Sequence, residues 1–189
     1  MNPDETRPIE VSAEVTPNPH TLKFNVNRTL LQAGSLNFPD RKNAKGSILV
    51  EKLFEIEGVI GVMVGTDFIT ITKAPAAQWQ PLVEPVTSAI KTLLSSKQTL
   101  VAEEAAASTG PGANGEIERK IREVLDNEIR PAVAMDGGDI TFYGYENGIV
   151  TLHLQGSCSS CPSSIMTLKM GVENRLKMLI PEVKEVIQI

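Results

Sequence analysis

Between Ser95 and Gly115 the chain offers almost nothing from which a core could be built. It reads Ser95-Ser96, then Ala105-Ala106-Ala107-Ser108, then Thr109-Gly110-Pro111-Gly112-Ala113-Asn114-Gly115. Small, polar and turn-forming residues bury too little apolar surface to offset the entropy lost on ordering them. The stretch therefore divides the 189 residues into two small units. We expect a first domain over 1–94, a flexible linker over 95–115 and a second domain over 116–189. At 41% hydrophobic residues, though only 4% aromatic, each unit can hold a modest core.

In the first unit, Thr16-Pro17-Asn18-Pro19 is a turn, because each proline pushes its predecessor out of the helical region. His20 lies in it with no other ligand type at chelating distance, which makes it an exposed turn residue. Leu22, Phe24 and Val26 alternate with Lys23 and Asn25, the period of a half-buried strand. Gly34 to Gly46 reads as a loop, and Ile48, Leu49, Leu53 and Phe54 as one face of a short helix. Val59 to Val64 and Phe68 to Ile71 are strands joined by Gly65-Thr66-Asp67. A helix follows over Gln80 to Leu94, with Trp79 at its start packing against the domain.

The second unit opens with a helix from Glu116 whose apolar face is Ile117, Ile121, Val124, Leu125 and Ile129, ending or bending where Pro131 follows Arg130. Met135-Asp136-Gly137-Gly138-Asp139 is a sharp entry into a strand over Ile140 to Tyr145, and Asn147-Gly148 is a strong hairpin signal. A return strand over Ile149 to Leu154, a helix from Pro162 to Pro181 and a last strand through Val183, Val186 and Ile187 complete the unit. The fold class expected is α+β: two small domains, the C-terminal one αββαβ with a three-stranded sheet and two helices.

Both cysteines of the chain stand in Gly156-Ser157-Cys158-Ser159-Ser160-Cys161-Pro162-Ser163-Ser164. Two thiols two residues apart can turn toward one metal centre. Pro162 suits the first turn of a helix, so Cys161 is expected at a helix N-terminus, where the dipole favours a thiolate and an anionic cluster bound through it. A thioredoxin-like redox pair is the rival reading, although no aromatic residue precedes the first cysteine and the proline follows the second. A closed zinc site needs four ligands, and the chain adds only the distant His20 and His153. An iron-sulfur cluster is normally held by four thiolates, so a second copy of the chain would have to supply two of them, unless small thiols or a partner protein do. Asp136 and Asp139 read as part of a glycine turn rather than a metal pair, and His153 as an exposed strand residue.

Net charge is −5 with no basic block, which excludes nucleic acid and anionic membranes as partners. No apolar run is long enough to span a bilayer. The acidic first residues lack the pattern of a signal peptide, so a cytoplasmic location is expected, where thiols stay reduced.

Several segments together resemble one family. Arg130-Pro131, Asp136-Gly137-Gly138-Asp139-Ile140, the cysteine motif, Thr167-Leu168-Lys169 and Pro181-Glu182-Val183 are similar to the C-terminal NifU-like domain. Thr16-Pro17-Asn18-Pro19, Thr21-Leu22-Lys23-Phe24 and Gly65-Thr66-Asp67-Phe68-Ile69-Thr70-Ile71-Thr72-Lys73 resemble the N-terminal domain of Nfu-type proteins. The resemblance implies a non-enzymatic iron-sulfur cluster carrier or scaffold. It implies a labile 4Fe-4S cluster, or a 2Fe-2S one, bound by Cys158 and Cys161 of two subunits. Its partners would be an upstream assembly scaffold as donor and apo iron-sulfur proteins as acceptors, with a homodimer formed on cluster binding. Ser157 and Ser160 depart from the alanine and glycine common in the family, and both are small enough to keep ligation intact. A thiol-disulphide oxidoreductase and a purely structural adaptor are the alternative functions.

Overall fold

The computed structural model describes residues 7–96, 115–159 and 162–189. Among them are two sheets, each with its own core. The first contains β1 (Val11–Val15), β2 (Thr21–Val26), β3 (Leu36–Phe38), β4 (Val59–Val64) and β5 (Phe68–Lys73) in the order β1-β2-β5-β4-β3, every pair antiparallel. Alternation along β2 and β5 sends Leu22, Phe24, Val26, Ile69 and Ile71 to one face. There they meet α1 (Ile48–Leu53) and α2 (Gln80–Ser95), through Leu49, Leu53, Leu82, Val86 and Ile90. Ser47 caps α1 by accepting the Val50 N–H. Trp79 packs partly against this core and its Nε1 donates to the Pro19 carbonyl at 3.1 Å, so its role is internal.

Two expectations for this half need correction. The loop expected over Gly34–Gly46 contains β3, which pairs Leu36 with Val64 and Phe38 with Val62, and a 3₁₀ turn at Arg41–Ala44. A three-residue strand carries too short an alternation to register as a period. His20 is half-buried rather than exposed, with its Nδ1 enclosed.

The second unit begins with α3 (Glu116–Val124), passes through a π-helical turn at Leu125–Ile129 and continues as α4 (Arg130–Met135). The helix expected to end or bend where Pro131 follows Arg130 is interrupted just before it and resumes to Met135. The π turn widens the backbone just before the proline and leaves it at the start of a new α segment, where its missing N–H matters least. β6 (Gly138–Glu146) and β7 (Ile149–Gly156) form a hairpin over Asn147-Gly148, both at positive φ (53° and 91°), as a type I′ turn requires. α5 (Pro162–Leu179) then crosses over and returns the chain to β8 (Glu185–Gln188), parallel to β7. Ile121, Leu125, Ile140, Val150, Leu176 and Ile180 fill the space between the helices and the three-stranded sheet. The Glu173 carboxylate on α5 accepts the Val186 N–H at 3.0 Å, which pins the helix to the edge strand. Most of the expected linker, residues 97–114, lies outside the described residues, as do Ser160 and Cys161.

Candidate functional site

The start of β6 and the end of β7 lie side by side, with Gly138 opposite Gly156, so the two glycine turns of the sequence form the walls of one pocket. Gly156 has φ +65°, a conformation that side-chain-bearing residues rarely adopt, and it turns the chain out of the strand into a 3₁₀ turn, Ser157–Ser159. That turn is tied back to the first wall: Ser157 N donates to Gly137 O at 3.2 Å, and Ser157 Oγ donates to Asp136 O. Ser159 Oγ closes the turn on Gly156 O at 2.8 Å.

The result is a seat for Cys158. Its side chain is 4% exposed, and its Sγ lies 3.7 Å from Ser157 Oγ. Gly138 leaves the space that the sulfur fills: a Cβ at this position would stand 2.5 Å from Sγ and 3.1 Å from the cysteine Cβ. A glycine is needed here because of what is packed against it, not because of its φ. α5 begins at Pro162, directly after the motif, and its N-terminal N–H groups favour negative charge there. Cys161 itself lies outside the described residues.

Asp139, one residue beyond the glycines and 6% exposed, holds the first wall in place. Its carboxylate receives Arg130 Nε and Nη2, each at 2.9 Å, together with the Ile140 N–H at 2.8 Å and Ser35 Oγ from the N-terminal unit. The hydrogen bonds from Arg130 to Asp139 push the guanidinium's pKa further above its ordinary value, so the arginine stays charged at any working pH. Asp136 ends α4 and contributes its carbonyl to Ser157, and among the described residues no three potential metal-ligating side chains come together. His153 stands opposite Thr141, half-buried rather than exposed as expected, with Nδ1 3.2 Å from Gln155 Nε2.

The N-terminal sheet completes the site. Asn18 Nδ2 donates to Ser157 O at 3.0 Å and Thr70 Oγ1 to Gly137 O at 2.7 Å. A Cβ on Gly156 would meet Met63 Sδ at 2.7 Å. Sequence reasoning missed these three residues as parts of the site. The one signal was the unbroken apolar run Val62-Met63-Val64, which marks a strand covered on both faces.

The comparisons with known proteins fall on both halves. The model of the scaffold protein Nfu/NifU N-terminal domain matches residues 11–97, and that of the NifU-like domain matches residues 121–187. A mitochondrial NFU1 iron-sulfur cluster scaffold homolog of Homo sapiens is 43% identical over 95% of this chain and 71% of its own length. The chain belongs to the Nfu-type, NifU-like family. The corresponding homolog of Drosophila ananassae is 44% identical over 97% of this chain and 65% of its own length, and the mitochondrial NifU-like protein 4 of Arabidopsis thaliana is 40% identical over 97% and 67%. The chain thus spans about two thirds of the length of these relatives. All three are mitochondrial by name, which overturns the cytoplasmic expectation and points to mitochondria. That expectation rested on first residues without a secretory signal pattern, which does not tell the cytoplasm from an organelle.

Proposed function

We propose that this protein carries an iron-sulfur cluster and hands it to apo-proteins, holding it through Cys158 and Cys161 of two copies of the chain. The observation that carries this reading is the seat of Cys158. A thiol is lodged against a glycine chosen for its missing side chain, in a loop braced by backbone hydrogen bonds, just before a helix N-terminus. The relatives named as iron-sulfur cluster scaffolds support the same cargo.

Two thiolates per chain make four across a two-fold axis, the number that a 4Fe-4S or a 2Fe-2S cluster normally takes from cysteine. We favour 4Fe-4S. Sharing the cluster between subunits also supplies the release mechanism. As an acceptor thiolate forms a bond to iron, the bond from Cys158 or Cys161 breaks, and the departing cysteine takes up the proton that the acceptor thiol gives off. Iron and sulfide keep their oxidation states, no substrate bond is cleaved, and the protein acts as a carrier rather than an enzyme. Its donor is an upstream assembly scaffold. Separating the subunits removes half the ligands, so delivery and dissociation proceed together.

The test is transfer. Loaded protein is mixed with an apo iron-sulfur enzyme in the presence of an iron chelator, and acceptor activity is followed. Chelator-resistant activation supports the carrier reading. Activation abolished by the chelator would mean that free iron and sulfide, not the protein, deliver the cluster. Insulin reduction by the iron-free protein would favour the thiol-disulphide alternative.

A further inference from the structure

We infer that the N-terminal domain is a closing cover for the cysteine loop, and that it must swing away before two copies can share a cluster. The outer face of the first sheet, opposite its own core, is nonetheless buried: Met63 and Thr70 are each 1% exposed, and Phe68 is buried beside them. They lie under the glycine walls of the C-terminal unit. The Thr70 hydroxyl and the Asn18 amide donate to the carbonyls of Gly137 and Ser157, one on each wall of the seat, and Ser35 Oγ donates to the Asp139 carboxylate beside it. In this closed arrangement Cys158 is 4% exposed and packed with the C-terminal core, while the two residues before it, Gly156 and Ser157, meet Met63 and Asn18 of the cover.

The contact is also built to open. It combines three side-chain donors, two on backbone carbonyls and one on a carboxylate, with a small apolar patch around Met63 and Phe68, the polar mixture of a transient interdomain contact. Clefts of about 340 and about 370 Å³ remain between the units, with Gly34 and Ser35 on one side and Arg130 and Asp139 on the other. Cluster binding then selects the open form, and closing the cover after transfer buries the emptied thiol. The apparent affinity for cargo falls by the fraction of molecules that are open. This inference rests on the carrier reading for its cargo, but not for its geometry.

The test uses the full chain, reduced and without metal. Thr70→Arg places a long side chain where 2.7 Å separates Thr70 Oγ1 from Gly137 O. Asn18→Asp keeps the acceptor that receives the His20 N–H but replaces the donor to Ser157 O with a carboxylate. Both changes lie outside the N-terminal core, and circular dichroism with melting checks that folding is kept. Alkylation of Cys158 by iodoacetamide, read by mass spectrometry of its peptide, is expected to be at least tenfold faster in both variants, because the rate follows the open fraction. Small-angle scattering of the metal-free proteins is expected to give a larger radius of gyration for the variants than for the wild type. Folded variants with the wild-type alkylation rate, or as compact as the wild type, would overturn the cover. Faster alkylation in variants that never form a chromophore would uphold the cover and refute the carrier reading. Wild-type alkylation in variants that load normally would do the reverse.

Discussion

Gly138→Ala is the smallest change that should separate the architecture of the site from its chemistry. The new methyl carbon would stand 2.5 Å from Cys158 Sγ, 3.0 Å from Gln155 O and 3.1 Å from Cys158 Cβ. Comfortable contacts begin at about 3.5 Å, so the sulfur has to withdraw by about 1 Å. All three obstacles belong to β7 and the turn that it feeds, and these are held by the hairpin pairing and by Ser157 N on Gly137 O, which leaves little room to yield. Overpacking of this kind typically costs about 1–3 kcal/mol, or roughly 5–20 °C of melting temperature for a domain of this size. In the proposed two-copy site the displaced thiol enters twice, and cluster occupancy should fall more than tenfold while far-UV circular dichroism stays native. Gly144→Ala is the control: nothing lies within 4 Å of its Cβ position, and it should stay within about 0.5 kcal/mol of wild type. Iron content after anaerobic loading and a melting curve read both effects. A Gly138→Ala protein that loads and melts like wild type would refute the seat.

Further expectations follow from the same geometry. Asp139→Ala leaves the Arg130 guanidinium without its buried partner and should destabilise the C-terminal unit by about 3 kcal/mol in urea unfolding. Asp126→Ala removes only the exposed partner of the same arginine and should cost under about 1 kcal/mol, so equal losses would contradict the assignment. Hydrogen bonds from Lys177, and then from the Val186 N–H, hold the Glu173 carboxyl below the usual carboxylate range. Its contribution is therefore fully present above the unfolded value of about 4.5 and is lost as pH falls through the lower folded value. The wild-type stability advantage over Glu173→Gln should shrink across that acid window, and a constant difference would argue against the linkage. Cys158→Ser and Cys161→Ser should each abolish stable loading with the fold intact, as read by iron content and circular dichroism.

How much of this was legible in the sequence depended on whether the signal was local. Asn147-Gly148 fixed the β6–β7 hairpin because the turn type demands two residues at positive φ. The cysteine spacing marked the candidate site, and Pro162 announced the helix that begins there. What failed was set by distant partners or by backbone adjustments without a sequence signature. β3 exists because Leu36 and Phe38 find β4, far along the chain. Pro131 is accommodated by a π turn that no neighbouring residue advertises. Gly138 read as a flexible turn residue, yet it matters because the sulfur of Cys158, twenty positions later, occupies its missing side chain's space. Thr70 looked like one more β-branched strand residue, and only the docked C-terminal unit shows that its hydroxyl has a separate destination.

The most direct test of the central claim is anaerobic reconstitution of the reduced 189-residue chain with iron and sulfide, with visible absorbance, iron analysis and mass measured on the same sample. The account predicts a broad charge-transfer chromophore, about four irons per two chains, and conversion from monomer to dimer in proportion to loading. A metal-free product in which Cys158 and Cys161 instead cycle reversibly through an intramolecular disulfide would contradict it.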